Sequence, residues 1–270
     1  MSNSGYIIKN VCKNYEVNNE QHIVLNNISL NISTEDITVI LGESGCGKTT
    51  FLRIIAGLEN VTSGEISYFK DNKEFKPKVG MVFQESRLMD WLNVSENITF
   101  HNVSEKSKVN SKNIIDRFLS KLRFKQNTSI DEIDVDKYLS MMKLEKFKNS
   151  YPSELSGGMA QRVSIARALS FDPDMLLMDE PFSALDYFTR KDMQNEVIRI
   201  HETTNKGVIF VTHDIDEALK IADKIIVFTL EREFKEFEIN DTYNRDLTSN
   251  YYVSLKKEIL NTLKSNIKDN

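Results

Sequence analysis

The sequence predicts an α/β protein with a mainly parallel sheet, an antiparallel β section before it and a helical segment inserted into it. Three features predict this class. Short apolar runs with helical segments between them fill the second half of the chain, as in parallel sheets covered on both faces. The first segments alternate apolar with polar residues, which is typical of half-buried antiparallel strands. The middle of the chain is polar and has helical periodicity.

The leading section of the chain predicts mostly β structure. Residues 6–11 and 25–32 alternate apolar with polar side chains, and residues 64–69 continue that character. Within this section, the apolar run 37–41 predicts a buried strand, and residues 50–56 predict a helix soon after it. We therefore expect an N-terminal antiparallel β subdomain beside the first strand and helix of the main sheet.

The inserted segment follows a strand that ends at residues 81–83. Helical periodicity is present at residues 114–122 and again at 138–144. Beyond the insertion, short apolar runs predict parallel strands that are joined to helices by right-handed crossovers. These runs lie at residues 174–179, 207–212 and 224–228.

The domain organisation follows from these segments. We expect one main domain over residues 1–245, with the helical subdomain inserted at about residues 85–165. We expect residues 246–270 to form a helical tail, because apolar residues recur there at helical spacing, and we expect this stripe to pack on the tail's own domain. That stripe consists of Tyr252, Leu255, Ile259 and Leu263.

Composition limits the class of protein. The 270 residues are 40% hydrophobic, which is enough for a well-buried core. The formal net charge of -5 gives no overall attraction to DNA or RNA, so we expect no nucleic-acid partner. No stretch approaches the ~20 apolar residues that cross a bilayer, and residues 1–5 lack the charged and apolar regions of a secretion signal, so we expect the chain to stay in the cytosol. The two cysteines, Cys12 and Cys46, are expected to be reduced, as in the cytosol.

A phosphate-binding loop is the most specific motif in the chain. Residues 42–49 satisfy the pattern G-x-x-x-x-G-K-[ST] at every fixed position and stand between the predicted strand and helix. Glycines let backbone N–H groups converge on an anion, and Lys48 adds a charge near the β- and γ-phosphates. This predicts a bound nucleoside triphosphate, with Mg²⁺ on Thr49. The predicted nucleotide contacts are Gly42, Glu43, Ser44, Gly45, Cys46, Gly47, Lys48, Thr49 and Thr50.

Two carboxylates follow one of the later apolar runs. Asp179 and Glu180 stand at the end of that strand, which is the arrangement that phosphoryl transfer needs beside a phosphate loop. Asp179 is predicted to orient the Mg²⁺ shell, and Glu180 is predicted to activate water. Two acids at a strand end also occur in ordinary solvated turns. The phosphate loop in the same chain favours the catalytic interpretation.

A second glycine pair precedes another predicted helix. Residues 155–159 have the sequence LSGGM, and a helix N-terminus of this kind attracts anions. Here the chain resembles the ATP-binding cassette ATPases, whose signature usually reads LSGGQ, and the resemblance extends from about residue 6 to residue 228. It implies that Ser156, Gly157 and Gly158 of one subunit close on ATP held by a second subunit, so a homodimer is expected. Met159 replaces the usual Gln, but the backbone donors of the two glycines remain.

The resemblance assigns roles to four further positions. Tyr15 matches the aromatic residue that stacks on adenine, and residues 183–186 match the loop that crosses the dimer contact. Gln84 matches the glutamine that senses Mg²⁺ and contacts the transmembrane partner, and His213 matches the histidine that contacts the γ-phosphate and holds the attacking water. Taken alone, each of these residues would be an ordinary surface or core side chain.

Within the family, residues 84–91 and 179–186 look most like ATPases of nitrate-, sulfonate- and taurine-type importers. That resemblance implies transmembrane permease subunits as partners, an extracellular solute-binding protein acting indirectly, and a peripheral location on the cytoplasmic membrane face. Two features depart from the group: Asp90 stands where Pro is usual, and residues 101–136 are longer and more polar. The solute therefore stays open, and Trp91 is either a core or an interface residue.

Other interpretations remain open at this point. One is an export ATPase built from the same cassette, and another is a soluble cassette that acts on ribosomes or DNA. The latter usually has paired cassettes or a long coiled-coil insertion, and the sequence shows neither. Between residues 105 and 125 basic residues outnumber acidic ones, which indicates either a solvated helix surface or attraction to anionic lipid headgroups.

Overall fold

The computed structural model describes residues 4–70, 73–106 and 134–264. These residues form two compact units: one contains the chain up to Glu85 together with the chain from Pro173 onward, and the other contains Ser86–Asp172. The helical periodicity expected at residues 114–122 lies outside the described residues.

The first unit is built on a six-stranded sheet. Its strand order is β10-β9-β3-β8-β7-β6, and all neighbouring pairs are parallel except β9 and β10. Every residue of β3, β7 and β8 is buried, which explains why these strands are almost continuously apolar. The strands are β3 (Ile37–Gly42), β6 (Val79–Val82), β7 (Met175–Asp179), β8 (Gly207–Thr212), β9 (Lys224–Phe228) and β10 (Phe234–Glu238).

A second sheet of the same unit is antiparallel, as the alternating pattern predicts. Its four strands have the order β2-β1-β4-β5. The turn between β1 and β2 consists of Asn18 and Asn19, whose positive φ angles of 53° and 64° suit the type I′ turn of a two-residue hairpin. The strands are β1 (Gly5–Val17), β2 (Glu20–Ser33), β4 (Ser63–Lys70) and β5 (Lys73–Glu74).

The helices begin at side chains that suit helix N-termini. Asp186 accepts hydrogen bonds from the backbone N–H groups of the first turn of α5, and Asp214 does the same for α6. The helices are α1 (Lys48–Ile55), α2 (Val94–Lys106), α3 (Val135–Met141), α4 (Gly157–Ser170), α5 (Tyr187–Thr204), α6 (Ile215–Ile221) and α7 (Asn250–Lys264). None of the helices in the described ranges combines the length and the apolar character that crossing a membrane requires.

The second unit contains α2, α3 and α4 and two short 3₁₀ turns, Glu145–Phe147 and Pro152–Glu154. Buried Asn97 organises the chain before α2, since its side chain accepts from Met89 N–H at 2.8 Å and donates to the Leu92 carbonyl at 2.9 Å. Trp91 lies in this stretch with 64% of its surface exposed, so the core interpretation of this tryptophan is wrong.

The C-terminal segment packs within the first unit. Tyr252 and Ile259 of the apolar stripe are buried, whereas Leu255 and Leu263 are half-buried. Just before α7, buried Arg245 donates to the carbonyls of Leu219 at 2.9 Å and Ala222 at 2.6 Å. Since these carbonyls lie at the end of α6, Arg245 satisfies acceptors that the helix itself leaves unpaired.

We therefore predict that Arg245→Leu lowers the free energy of unfolding by about 3 kcal/mol, because it leaves buried carbonyls without a donor. Urea denaturation measures this change. The matched control is Lys235→Leu, which removes an exposed ion pair with Glu258 and is expected to cost less than ~1 kcal/mol. Equal losses for the two variants would contradict the capping role of Arg245.

Candidate functional site

The phosphate loop connects β3 to α1 and is shaped by a glycine that no other residue replaces easily. Gly47 has a φ of 102°, and a Cβ atom there would lie 2.9 Å from the Val24 carbonyl oxygen. Glu43, Ser44 and Gly45 are exposed, whereas Cys46 is buried beneath them. Burial raises the pKa of the Cys46 thiol, although nearby Lys48 opposes that shift. The loop thus presents its exposed residues and the N-terminus of α1 to the solvent side.

Lys48 places a buried positive charge inside this loop. Its side chain is 4% exposed, and its ammonium donates to the carbonyls of Gly42 at 2.8 Å and Glu43 at 2.9 Å. The Glu180 carboxylate oxygen Oε1 lies 3.7 Å from Lys48 Nζ. An ammonium held in this position increases the attraction that the helix N-terminus already exerts on an anion.

Thr49 and Asp179 bring two oxygen ligands together. The Thr49 hydroxyl donates to Asp179 Oδ1 at 2.9 Å, and this bond joins the start of α1 to the end of β7. Burial raises the pKa of Asp179, and the Thr49 hydrogen bond acts in the opposite direction. A hydroxyl beside a buried carboxylate suits Mg²⁺, which prefers oxygen ligands.

These two side chains do not by themselves make a complete metal site. Over the part of the chain that the structure describes, no three His, Cys, Asp or Glu side chains are grouped closely enough to hold a metal ion. Mg²⁺ at nucleotide sites is usually held by one or two protein oxygens, by phosphates and by water.

Glu180 has an unusual backbone conformation next to the loop. Its φ is 43°, a left-handed value that costs a non-glycine residue about 1–3 kcal/mol. The Glu180 N–H donates to the Val211 carbonyl at 3.1 Å, and the Ser183 hydroxyl donates to the Glu180 carbonyl at 3.1 Å. These bonds hold the strained residue so that its side chain extends toward Lys48 and His213.

His213 follows β8 and completes the group of polar residues at this edge of the sheet. Its Nδ1 lies 3.0 Å from Glu180 Oε2, and 57% of its side chain is exposed. The strand order explains why His213 lies beside the residues that follow β3 and β7. β8 lies between those two strands, and the carboxyl ends of parallel strands share an edge of the sheet. The structure thus brings together Lys48, Thr49, Asp179, Glu180 and His213, which we call the site cluster.

Tyr15 lies on β1 and is half-buried. Its hydroxyl donates to Glu59 Oε1, and Lys13 Nζ lies 4.8 Å from the centroid of its ring. Burial and the Glu59 carboxylate both raise the pKa of Tyr15, whereas a hydrogen bond with Thr50 lowers it. Because Thr50 belongs to α1, the Tyr15 ring lies close to the helix that begins at the phosphate loop.

In the described part of the chain Gln84 makes no hydrogen bond or ion pair with the site cluster, and the glycine pair belongs to the second unit. Gln84 is exposed two residues beyond β6, and among the described residues no hydrogen bond joins it to Thr49 or Asp179. Ser156 belongs to the second unit, where its hydroxyl caps α4 by accepting from Met159 N–H at 3.3 Å. Gly157 is exposed and Gly158 is buried at the start of the same helix.

Sequence reasoning missed two sets of residues near these positions. Glu59 and Lys13 both contact Tyr15, yet neither belongs to a motif. Lys13 was detectable as a strand neighbour of Tyr15, since residues two apart share a face. Arg190 donates to the Leu185 carbonyl at 3.1 Å and lies 3.6 Å from Asp214, so it links the loop at residues 183–186 to the start of α6.

Comparison with known proteins agrees with this architecture. The sequence profile of the family described as "ABC transporter" matches residues 25–183. The aliphatic sulfonates import ATP-binding protein of Bacillus thuringiensis subsp. konkukian is 39% identical over 241 residues, which are 88% of this chain and 87% of that protein. The taurine import ATP-binding protein of Roseobacter denitrificans is 37% identical over 228 residues, covering 83% and 77% of the two chains.

A similar solved structure is described as the dimeric post-hydrolysis state of an ATP-binding cassette bound to ADP and Pi. It has a TM-score of 0.67 and 31% sequence identity, and the match covers 88% of this chain and all of that one. The predicted fold, a phosphate-loop NTPase core with an antiparallel β subdomain, is confirmed. Since the family profile covers more than half of the chain and the relatives match over most of their length, this chain belongs to the ABC transporter family, as an ATP-binding cassette that hydrolyses ATP to energise transport.

Proposed function

We propose that this chain is the motor subunit of an importer for a small anionic solute of the sulfonate or taurine type, acting through separate permease subunits. Two relatives support the solute class, because they are described as import ATP-binding proteins for aliphatic sulfonates and for taurine. The site cluster supports the motor role, and the observation that carries it is the Glu180 carboxylate lying 3.0 Å from His213 and 3.7 Å from Lys48.

The chemistry of this site is hydrolysis of the γ-phosphate of ATP. Glu180 takes a proton from the attacking water, the oxygen of that water bonds to the γ-phosphorus, and the bond to the ADP oxygen breaks. His213 fixes the orientation of the Glu180 carboxylate and of the water. Lys48 offsets the negative charge of the triphosphate, and Tyr15 stacks on the adenine.

The Mg²⁺ site is part of the same proposal. Thr49, Asp179 and Gln84 are the residues that would hold the ion. The chemistry supplied by a bound ion would be partial neutralisation of the negative charge of the triphosphate. The support for this assignment is the hydrogen bond between Thr49 and Asp179, which keeps a hydroxyl and a carboxylate oxygen together at 2.9 Å.

We further propose that two copies of the chain form the complete site. Ser156, Gly157 and Gly158 of one copy bind the triphosphate held by the phosphate loop of the other copy. A similar cassette solved as a dimer with ADP and Pi supports this arrangement.

The domain boundaries belong to the same proposal. Residues 1–245 form the ATPase domain, with a helical subdomain at about 85–165 and a tail at 246–270.

The remaining partners follow from the importer proposal. Permease subunits hold the ATPase at the cytoplasmic face of the membrane, and an extracellular binding protein delivers the solute to them. Nucleic acid has no role in this function, in keeping with the net charge of -5.

We predict that Glu180→Gln still binds ATP but hydrolyses it about 100-fold more slowly, or slower still, because the amide does not accept the proton of water. The variant accumulates as an ATP-dependent dimer. Phosphate release and size-exclusion chromatography measure the two effects. Glu202→Gln, which changes an exposed carboxylate on α5, is the control and is expected to behave like the wild type. Normal turnover by Glu180→Gln would remove Glu180 from the mechanism.

A second prediction concerns the shared site. On the Glu180→Gln background, Gly157→Asp places a carboxylate where the triphosphate of the partner copy is expected to lie, so charge repulsion keeps the protein monomeric in ATP. Binding of ATP to each monomer stays unchanged, because the phosphate loop is intact. The control is Ser153→Asp, which adds the same charge at a nearby exposed position. Dimerisation of the Gly157→Asp protein would show that the glycine pair does not face a second copy's nucleotide.

A third prediction tests the direction and class of transport. The chain is reconstituted in vesicles with its permease and binding protein. We expect its ATPase rate to rise severalfold with binding protein loaded with taurine or an alkanesulfonate, and to stay near the basal rate with an unrelated amino acid. ATPase coupling that needs no binding protein would favour an exporter instead.

A further inference from the structure

We propose that Glu59, which is held in place by Lys13, is a positioning residue that orients the Tyr15 ring for stacking on adenine. The inference rests on the proposed function, in which Tyr15 stacks on the base. It concerns two residues of no recognised motif, and the contact between the Tyr15 hydroxyl and the Glu59 carboxylate carries it.

One carboxylate oxygen serves two donors. Glu59 Oε1 accepts from the Tyr15 hydroxyl, and the same oxygen lies 3.0 Å from Lys13 Nζ. The side chains of Lys13 and Glu59 are only 13% and 19% exposed, so water screens this ion pair less than it screens a surface pair. The hydroxyl end of Tyr15 is therefore held at a fixed point.

Lys13 holds the ring as well as the carboxylate. Lys13 and Tyr15 are two residues apart on β1, and the ammonium lies 4.8 Å from the centroid of the tyrosine ring. A cation at this distance is attracted to the π electrons of the ring. Since Lys13 lies over one face of the ring, stacking by a purine is directed to the opposite face.

Several hydrogen bonds join the segment that contains Glu59 to β1. Lys13 Nζ donates to the Asn60 carbonyl at 2.8 Å, Thr62 N–H donates to the Cys12 carbonyl at 2.9 Å, and Asn14 N–H donates to the Thr62 hydroxyl at 3.0 Å. This segment follows α1, which begins at Lys48 of the phosphate loop. Glu59 thereby fixes the position of Tyr15 relative to the helix that carries the triphosphate site.

The charges of the group agree with this role. Burial by itself would raise the pKa of Glu59, but its hydrogen bonds with Tyr15 and Lys13 bring the pKa below its usual range. Burial and Glu59 raise the pKa of Tyr15. These shifts favour a phenol donor and a carboxylate acceptor, which maintains the hydrogen bond between Tyr15 and Glu59 beside the position proposed for the base.

The test measures the KM for ATP and the Ki of inorganic tripolyphosphate, which has the phosphates but no base. Tyr15→Ala is expected to raise the KM about 10-fold through lost stacking. Glu59→Leu is expected to raise the KM about 5-fold, as for one lost hydrogen bond, with kcat unchanged within about 2-fold. Glu59→Gln keeps an oxygen acceptor and recovers part of the loss. Neither Glu59 variant changes the Ki of tripolyphosphate.

The matched control is Glu16→Leu, which removes an exposed carboxylate beside Tyr15 on the same strand and is expected to leave the KM unchanged. Tyr15→Phe removes the hydroxyl donor, so the double variant Tyr15→Phe, Glu59→Leu is expected to be no worse than the more affected single variant. Additive effects would overturn the inference, since Glu59 would then act other than through the tyrosine hydroxyl.

The outcomes separate this inference from the proposed function. If Tyr15→Ala leaves the KM unchanged, the adenine role of Tyr15 in the proposed function is wrong. If Tyr15→Ala raises the KM and Glu59→Leu does not, only the positioning inference is wrong. If Glu59→Leu weakens tripolyphosphate binding as much as ATP binding, Glu59 supports the fold around the phosphate loop, and the inference is likewise overturned.

Discussion

The parallel register of three buried strands is the constraint on which the site depends. Leu41 of β3 pairs with Thr212 of β8, and Asp179 of β7 pairs with Val211. Because all three strands run in the same direction, the residues that follow them emerge at one edge of the sheet. The phosphate loop, the paired carboxylates and the histidine come from segments far apart in the chain, and this register alone brings them together. A register shift would separate them, since side chains alternate between the two faces of a strand.

Local interactions orient the side chains of the site cluster at this edge of the sheet. The Thr49 hydroxyl joins α1 to β7 through Asp179, and the hydrogen bonds of the Glu180 backbone maintain a left-handed φ. Helix caps immediately follow two of the functional segments, with Asp186 at the start of α5 and Asp214 at the start of α6. Arg190 connects those two regions. Strand pairing between distant segments thus brings the site residues together, and local hydrogen bonds and ion pairs orient their side chains.

Much of the sheet and of the site cluster was predictable from the sequence, because fully buried strands are continuously apolar and phosphate loops need fixed residue types. Features at the edges of the sheet and on the surface were harder to predict from the sequence. β10 (Phe234–Glu238) was missed because a short edge strand with charged side chains resembles a loop, and Phe234 and Phe237 are three residues apart, which does not match the period-2 alternation of a strand. The exposed position of Trp91 depends on tertiary packing. The bond between Tyr15 and Glu59 joins residues 44 positions apart, so no local pattern encodes it.

The buried cysteine of the phosphate loop has a consequence for the chemical durability of the protein. Cys46 is 2% exposed, and Gly42 makes room for its sulfur, since a Cβ at that position would lie 2.6 Å from it. Thiolates are the form that alkylating agents and peroxide attack, and a buried thiol with a raised pKa forms few of them at neutral pH. Maleimide-type labels and mild oxidants are therefore expected to react slowly with Cys46 while the protein is folded.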